Sequence, residues 1–266
     1  MKLVQALVFA TGSSYRQGVA HGLTAGHLAA ENLKRFWAGL SCNGYQKKDI
    51  IRQALKNEDI LKDHTLEEIS GIAAGANLSY EELLAFNLYH GLVLPEECTV
   101  MMAVGSASAS GSTVFAKNSD KIGDESLVGD RFYRNKEINV ILFSEAKDGG
   151  RIVGVSAAGS TGLKMGLNDK GIAAGTNISR TVELAQRKVN ITQLRAVDRA
   201  QLIRDGLEYN TALDAVSYVA KKVAENPMAT PGNVEFAEAR VAYIMEGSYD
   251  RVALKRVEDD VDSRSN

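Results

Sequence analysis

The pattern of apolar and polar positions divides the chain into a helical first part and a strand-rich second part. A short apolar run, "LVQALVFA", precedes the turn-like "TGSS", and it favours a first β-strand over the apolar core of a signal peptide. Residues 14–39 then carry alanine and leucine at mixed helical spacing, with a glycine at every fourth position from 18 to 26. We therefore expect a strand followed by a helix that these glycines weaken.

Two more helices are predicted before residue 97 by their start signals. Thr65 with Glu68, and Ser79 with Glu82, match the capping box, in which a hydroxyl and a carboxylate three residues apart satisfy backbone N–H groups. Pro95 is expected to end the second of these helices, because proline cannot donate the next helical hydrogen bond.

From residue 98 onward the pattern is that of antiparallel strands. "TVMMAV" is predicted to pair with "STVFA", "INVILFS" with "RIVGVSAAG", and a third hairpin spans the turn Asn168–Gly171. Two amphipathic helices are predicted at 191–206 and 211–223, the second capped by Thr211, before a hairpin of "RVAYIMEG" with "RVALKRV". The tail "KRVEDDVDSRSN" is expected to end that strand and continue as solvated residues. Because helices and strands occur in separate runs, the fold class is α+β.

Composition narrows the function classes. The chain has 266 residues, a net charge of −2 and two cysteines, Cys42 and Cys98. This charge argues against nucleic acid as a partner, and two cysteines are too few for a disulfide framework or a cysteine zinc site. No apolar run reaches the ~20 residues that span a bilayer. We expect a cytoplasmic protein that needs no membrane, metal or organic cofactor.

Cys98 is the candidate nucleophile, because it stands at the head of an apolar strand directly after a helix end. All four histidines precede it, and His21 and His90 have no recognisable catalytic neighbourhood, so packed or surface roles are expected for them. A cysteine can instead be activated by its own α-amine if the preceding peptide bond, here Glu97–Cys98, is cut. Such an amine titrates at about 7.7–8.0 and is a useful base near neutral pH.

Lys117 and Asp120, in the cluster "KNSD" on the returning strand, suit this nucleophile. A nearby cation favours a thiolate, and a carboxylate can orient the new ammonium group. A buried core thiol, a solvated lysine and a turn-capping aspartate are the alternatives. No Walker loop, G-x-S-x-G elbow, dinucleotide fingerprint or H-E-x-x-H motif is present to indicate a different chemistry.

Several segments, taken in order, resemble the acyl-coenzyme A:6-aminopenicillanate acyltransferase-like family of the N-terminal nucleophile (Ntn) hydrolase superfamily. "GSSYRQGVAHG" is similar to the family's opening segment, and "LEEISGIAAGANLSYEELLAFNLYHGL" to the stretch before the nucleophile. "ECTVMMA" with "FAKNSD" resembles the nucleophile strand and its returning partner, and "GSTGLKMGLNDKGIAAGTN" resembles a later hairpin that ends in asparagine. "GNVEFAEA" and the closing "RSN" also fit.

The resemblance implies a four-layer αββα sandwich and a precursor that cuts itself before Cys98. The products would be an α fragment, residues 1–97, and a β fragment, residues 98–266, which together form one structural domain. Glu97 stands where glycine is common before the cut. The family continues with further strands after the position of Asn266, so the sandwich is expected to lack some C-terminal strands.

The same resemblance assigns the remaining site residues. Asp120 would hold the freed amine of Cys98, and Lys117 stands where an arginine is common. Asn177 and Asn266 match positions that bind substrate or stabilise the oxyanion, an effect worth about 2.7–4 kcal/mol for one donor.

The predicted activity is hydrolysis or transfer of the acyl group of a small linear amide or thioester through an acyl-enzyme intermediate. The oligomeric state is left open. An uncut, inactive protein of the same fold that serves as a binding scaffold is the second hypothesis. A Cys–His peptidase that uses His90 or His21 is the third.

Overall fold

The structure is a computed structural model that describes residues 6–93, 97–120, 126–128, 131–133, 137–179, 191–248 and 251–265. Its helices are α1 (Ser14–Cys42), α2 (Lys47–Lys56), α3 (Asp63–Ala76), α4 (Tyr80–Val93), α5 (Arg199–Gly206) and α6 (Ala212–Glu225). Its strands are β1 (Leu7–Gly12), β2 (Glu97–Ala103), β3 (Val114–Asp120), β4 (Ser126–Val128), β5 (Arg131–Tyr133), β6 (Asn139–Ala146), β7 (Arg151–Ala157), β8 (Met165–Asn168), β9 (Ala173–Ile178), β10 (Gly232–Ala237), β11 (Ala242–Gly247), β12 (Val252–Val257) and β13 (Val261–Ser265). The predicted α+β class is confirmed.

Most of the strands lie in two sheets. The large sheet has the order β1-β6-β7-β8-β9-β10-β11-β12, and the small sheet has the order β13-β2-β3. Within both, neighbouring strands run antiparallel except β1 and β6, which are parallel. The hairpins predicted from the sequence, β2–β3, β6–β7, β8–β9 and β11–β12, are all confirmed.

The large sheet is buried on one face by helices and on part of the other by the small sheet. Val140 and Phe236 belong to the core that the large sheet forms with α1, α5 and α6. Ile244, on the opposite face, packs with Val100 and Met102 of the small sheet. The outer face of the small sheet is open in the described part of the chain, where Met101 is 52% exposed. A second helix layer therefore stays a prediction.

Glycines allow α1 and α3 to approach very closely. A Cβ on Gly18 would lie 2.0 Å from the backbone oxygen of Glu68, and one on Gly71 would lie 2.1 Å from that of Tyr15. The glycines do not prevent a long helix: α1 spans 29 residues, with non-helical backbone angles only at Ala25. Their missing side chains are used for helix–helix packing.

Buried asparagines tie the helices to the large sheet. Asn32 of α1 donates from Nδ2 to the backbone oxygens of Ile138 and Ala158, each at 3.0 Å, and accepts from the N–H of Ile138. Asn87 of α4 donates to the backbone oxygen of Gly159 at 3.0 Å. Because buried polar groups need partners, these contacts fix α4, which carries His90, against the sheet.

Of the two predicted capping boxes, one is wrong and the other is half formed, because the Glu82 carboxylate accepts from Trp37 and Lys47 instead of the Ser79 backbone. Ser79 accepts from the N–H of Glu82 at 3.2 Å, as a helix cap should. Thr65, in contrast, is buried inside α3, which begins at Asp63. Its hydroxyl faces Gln201 Nε2 at 3.4 Å, so a tertiary contact, not a helix cap, accounts for this threonine.

The helix predicted at 191–206 is also shorter than expected. Residues 191–193 form a 3₁₀ turn, and α5 starts at Arg199, with the Oδ1 atom of Asp198 accepting from the N–H of Ala200 at 2.8 Å. The preceding residues stay extended because Val197 pairs with the segment around Met228. The second helix begins at Ala212 with the predicted cap, since Thr211 accepts from the N–H of Asp214 at 3.1 Å.

The tail is mostly exposed, as predicted, but it also forms a strand that the sequence did not predict, because β13 pairs with β2 along its length. Asp262 is buried there and forms ion pairs with Lys255 and Arg264. Pro95 lies outside the described residues, and α4 ends at Val93. Within the described ranges, no helix combines the length and apolar character needed to cross a membrane.

Candidate active site

Cys98 lies near the start of β2, with its side chain between the two sheets. The residue is 3% exposed, and its Sγ atom is 3.7 Å from the hydroxyl of Ser119, its cross-strand neighbour. The sulfur borders a small cavity of about 40 Å³. The cavity is otherwise lined by residues from both sheets, α4 and α5: His90, Gly91, Lys117, Glu137, Lys164, Thr176, Asn177, Ile178, Asp198, Arg199 and Ala200.

Two of the residues predicted from the sequence share this cavity with Cys98. Lys117, on β3, donates from Nζ to the backbone oxygen of Thr176 at 2.5 Å. Asn177, on β9, is buried, and its Oδ1 atom accepts from Nδ2 of Asn233 at 3.2 Å. Because this carbonyl oxygen belongs to a neutral group, the hydrogen bond does not neutralise the positive charge of Lys117.

The other predicted residues are placed only in part. Glu97 is the first residue of β2, and Asp120 is its cross-strand partner at the end of β3. The side chains of both, and all of Asn266, lie outside the described part of the chain. The proposed scissile bond Glu97–Cys98 is therefore next to the backbone of Asp120, while the roles of Asp120 and Asn266 stay predictions.

His90, a candidate from the sequence only in the third hypothesis, a Cys–His peptidase, lines the cavity. It is buried on α4, stacks on Phe86 with 4.8 Å between ring centroids, and contacts the Phe86 backbone oxygen through Nδ1 at 3.0 Å. The other ring nitrogen, Nε2, lies 3.8 Å from the Oε1 atom of Glu137, which is beyond hydrogen-bond distance. His21 does not line the cavity; burial lowers its pKa to about 4.

A buried ion pair forms another wall of the cavity. Glu137, just before β6, and Lys164, just before β8, approach to 2.5 Å, and both side chains are almost fully buried. Buried ion pairs persist when each charge has a close counterion. No local motif marks either residue, because the sheet brings them together from distant parts of the sequence.

The start of α5 supplies two more charged residues. Asp198 caps the helix, and a Cβ on Gly91 would lie 2.6 Å from its Oδ2 atom, so a larger residue at 91 would displace this carboxylate. Arg199 donates from Nε to the hydroxyl of Thr230 at 3.0 Å and from Nη1 to that of Thr176 at 3.4 Å. Neither residue is singled out by the sequence, because both fall inside the helix predicted at 191–206.

The cavity as a whole favours negative charge on a bound group. Its lining holds the cations Lys117, Lys164 and Arg199 against the carboxylates Glu137 and Asp198. Hydrogen-bond donors aimed at a small, water-poor site stabilise an oxyanion far better than they would in water. A thiol in such surroundings is suited to attack a carbonyl carbon.

Glu235 adds a buried carboxyl next to this site. It is fully buried on β10, in register with Gly175 of β9, and neither carboxyl oxygen has a hydrogen-bond partner among the described residues. Burial raises its pKa to about 8, against the opposing attraction of Lys117, Arg199 and Arg264. The carboxyl is therefore largely protonated at neutral pH and neutralises little of this positive charge.

No protein-family model and no curated protein matches the chain. Among solved structures, it is similar to penicillin V acylase from Agrobacterium tumefaciens, with 15% sequence identity and a TM-score of 0.30 over 61% of this chain. The chain spans 42% of the length of that structure. A TM-score this low supports neither a shared fold nor a shared function.

Proposed function

We propose that the protein is a cysteine amidohydrolase or acyltransferase of the Ntn type, built on a four-layer αββα sandwich. The supporting observation is the position of Cys98, whose sulfur borders a cation-rich cavity that also contains Asn177. A buried structural thiol in an apolar core would have neither these cations nor a cavity beside it.

The acyl-transfer step follows from this arrangement. The Cys98 sulfur attacks the carbonyl carbon of a small linear amide or thioester, and its proton passes to the free α-amine of the same residue. Lys117, Arg199 and Asn177 surround the cavity in which the negative charge of the tetrahedral oxygen develops. The C–N or C–S bond then breaks, the leaving group takes the proton, and water or an amine releases the acyl group from sulfur.

Cavity size restricts what enters. About 40 Å³ accommodates one or two water-sized groups, so the reacting carbonyl fits and the acyl chain must extend outward. We infer a small N-acyl or acyl-thioester substrate; nucleic acid and membranes are not required as partners. The two fragments, 1–97 and 98–266, would remain associated after cleavage.

The free amine requires self-cleavage. In our proposal the Cys98 thiol attacks the Glu97 carbonyl carbon, the peptide C–N bond breaks, and the acyl group moves from nitrogen to sulfur. Water hydrolyses the resulting thioester, which releases the Glu97 carboxylate and leaves Cys98 with an α-amine. Asp120, which faces Glu97 across the hairpin, is the candidate to orient that amine.

Intact mass spectrometry of the purified protein tests the proposal. We expect two fragments, with Cys98 as a new N-terminus, and a Cys98→Ala variant that stays as one chain. Cys42→Ala is the matched control, because it removes the other thiol at the end of α1 and should not change processing. Incubation of the processed protein with N-acyl amides and acyl thioesters should then give an acyl adduct on the β fragment.

His90 supports a second candidate, a Cys–His hydrolase that needs no cleavage. The histidine shares the cavity with Cys98, and its ring is held by the contact with Phe86. An uncut chain that is acylated on Cys98, and loses this reaction in a His90→Gln variant, would favour this candidate. An uncut chain that forms no acyl adduct would favour the inactive scaffold.

A further inference from the structure

A second cleft, much larger than the Cys98 cavity, lies on the large sheet. Its volume is about 850 Å³, and it is bounded by the β1–α1 junction, the β6–β7 and β8–β9 turns, and the end of α5. It shares no lining residue with the Cys98 cavity. Volumes of about 300–1,000 Å³ are typical of small-molecule sites.

Three buried polar side chains from different elements meet in this cleft. Gln17 of α1, Ser144 of β6 and Arg204 of α5 are 4%, 6% and 8% exposed. Arg204 donates from Nη1 to the Ser144 hydroxyl at 3.0 Å, and its Nη2 atom is 3.5 Å from the carboxylate of Glu68. Burial raises the pKa of Glu68, which weakens it as a counterion for Arg204.

The hydrogen-bonding capacity of these side chains is incompletely used. Gln17 donates from Nε2 to the backbone oxygens of Gly12 at 2.9 Å and Glu145 at 3.3 Å, but its Oε1 atom has no partner among the described residues. Ser144 accepts from Arg204, so its own proton remains available to a ligand. Buried polar atoms without partners are rare, and a bound molecule is one way to satisfy them.

We propose that this cleft binds a small carboxylic acid with a neighbouring N–H or O–H group, of the amino acid or hydroxy acid class. The carboxylate accepts from Arg204 and Ser144, and the neighbouring group donates to Gln17 Oε1. The start of α1 also lines the cleft, and its first turn contains no acidic residue, so the helix dipole favours the same negative charge.

The other walls define the remainder of the ligand. Ile152, Leu207 and Tyr209 provide apolar surface for a side chain. Lys147 and Glu208 put charges of both signs in the lining, which suits a small zwitterion better than a polyanion such as nucleic acid. The site goes beyond the acyl-transfer chemistry proposed for Cys98, and either proposal can fail without the other.

Binding of three matched compounds, measured by isothermal titration calorimetry, tests the two polar contacts. L-phenylalanine, L-3-phenyllactate and 3-phenylpropanoate share a carboxylate and a ring but carry an amine, a hydroxyl or neither. We expect 3-phenylpropanoate to bind at least ~5-fold more weakly than the better of the other two, the loss typical of one hydrogen bond. L-phenylalaninamide, which lacks the carboxylate, should bind at least ~10-fold more weakly than L-phenylalanine.

Variants connect the binding to the named residues. Ser144→Ala should weaken binding of the tighter acid by about 5-fold, and Gln17→Met should abolish the advantage of that acid over 3-phenylpropanoate. Ser217→Ala, on the exposed face of α6, is the matched control that should leave binding unchanged. A thermal melt of each variant checks that it folds. If Gln17→Met does not fold, Ser144→Ala alone tests the site.

Three results would overturn the proposal. The first is a lack of saturable binding of both L-phenylalanine and L-3-phenyllactate at about 10 mM, which is ten times a Kd of about 1 mM. That result would exclude a useful site in the cleft. Equal binding of 3-phenylpropanoate would remove the role of Gln17, and an unchanged affinity in a folded Ser144→Ala variant would place the ligand elsewhere. Each result leaves the outcome of the Cys98 mass experiment untouched.

Discussion

The substitution Glu235→Gln should make the free energy of unfolding of this protein less dependent on pH. The Glu235 carboxyl has a pKa of about 8 in the folded protein, because it is fully buried, and an ordinary value of 4.5 otherwise. Between these two values the unfolded chain releases the proton while the folded protein keeps it. Rising pH therefore favours unfolding by about 1.4 kcal/mol for each pH unit.

The magnitude follows from that slope. At pH 7 the wild-type protein should have lost about 3 kcal/mol of stability through this group, relative to its stability near pH 4.5. Glu235→Gln has a similar shape and no proton to release, so it avoids the loss. The buried amide also changes the free energy of unfolding, but by an amount that does not vary with pH, because glutamine does not titrate.

Urea unfolding of both proteins from about pH 5 to pH 8 measures the difference. We expect the advantage of Glu235→Gln over wild type to grow with pH and to level off above pH 8. Glu225→Gln, an exposed substitution at the end of α6, should show a flat difference. A flat difference for Glu235→Gln as well would mean that the carboxyl is ionised in the fold, and our account of its burial would be wrong.

Two further predictions concern the helical layer. Gly71→Ala should lower the melting temperature by about 5 °C or more, because its Cβ would lie 2.1 Å from the backbone oxygen of Tyr15. The control Gly150→Ala, whose Cβ would lie 3.6 Å from its nearest neighbour, should change the melting temperature little. His21, with its pKa lowered to about 4, resists protonation in the fold, so stability should fall by about 2 kcal/mol as pH drops from 6.5 to 5. In denaturant titrations, His21→Gln should lack most of this loss; an equal loss in the variant would assign it to other groups.

The hairpins of the second part of the chain could be predicted from sequence because their signals are local. Alternating apolar residues and a turn such as Asn168–Gly171 determine a strand pair within about twenty positions. In the structure, Asn168 itself closes that turn by accepting from the N–H groups of Lys170 and Ile172. The helix cap at Ser79 was also predicted correctly, because it depends on residues only three positions apart.

The errors occurred where a distant segment competes with a local signal. Thr65 has the spacing of a helix cap, but its hydroxyl contacts Gln201 on α5. Asp262 lies in a run of charges typical of a solvated tail, yet the pairing of β13 with β2 buries it beside Lys255. Neither partner can be identified from spacing along the chain.

The sequence by itself determined the α+β class, the four hairpins β2–β3, β6–β7, β8–β9 and β11–β12, and the candidacy of Cys98, because these depend on residue type and short-range periodicity. It also singled out Lys117 and Asn177, which the structure places in the cavity of the cysteine. Only the tertiary structure placed His90 in that cavity and added Glu137, Lys164, Asp198 and Arg199 to it, with Glu235 beside it. Their chemistry depends on burial and on charges brought within a few ångströms by the packing of two sheets and two helices, and those quantities do not exist until the chain is folded.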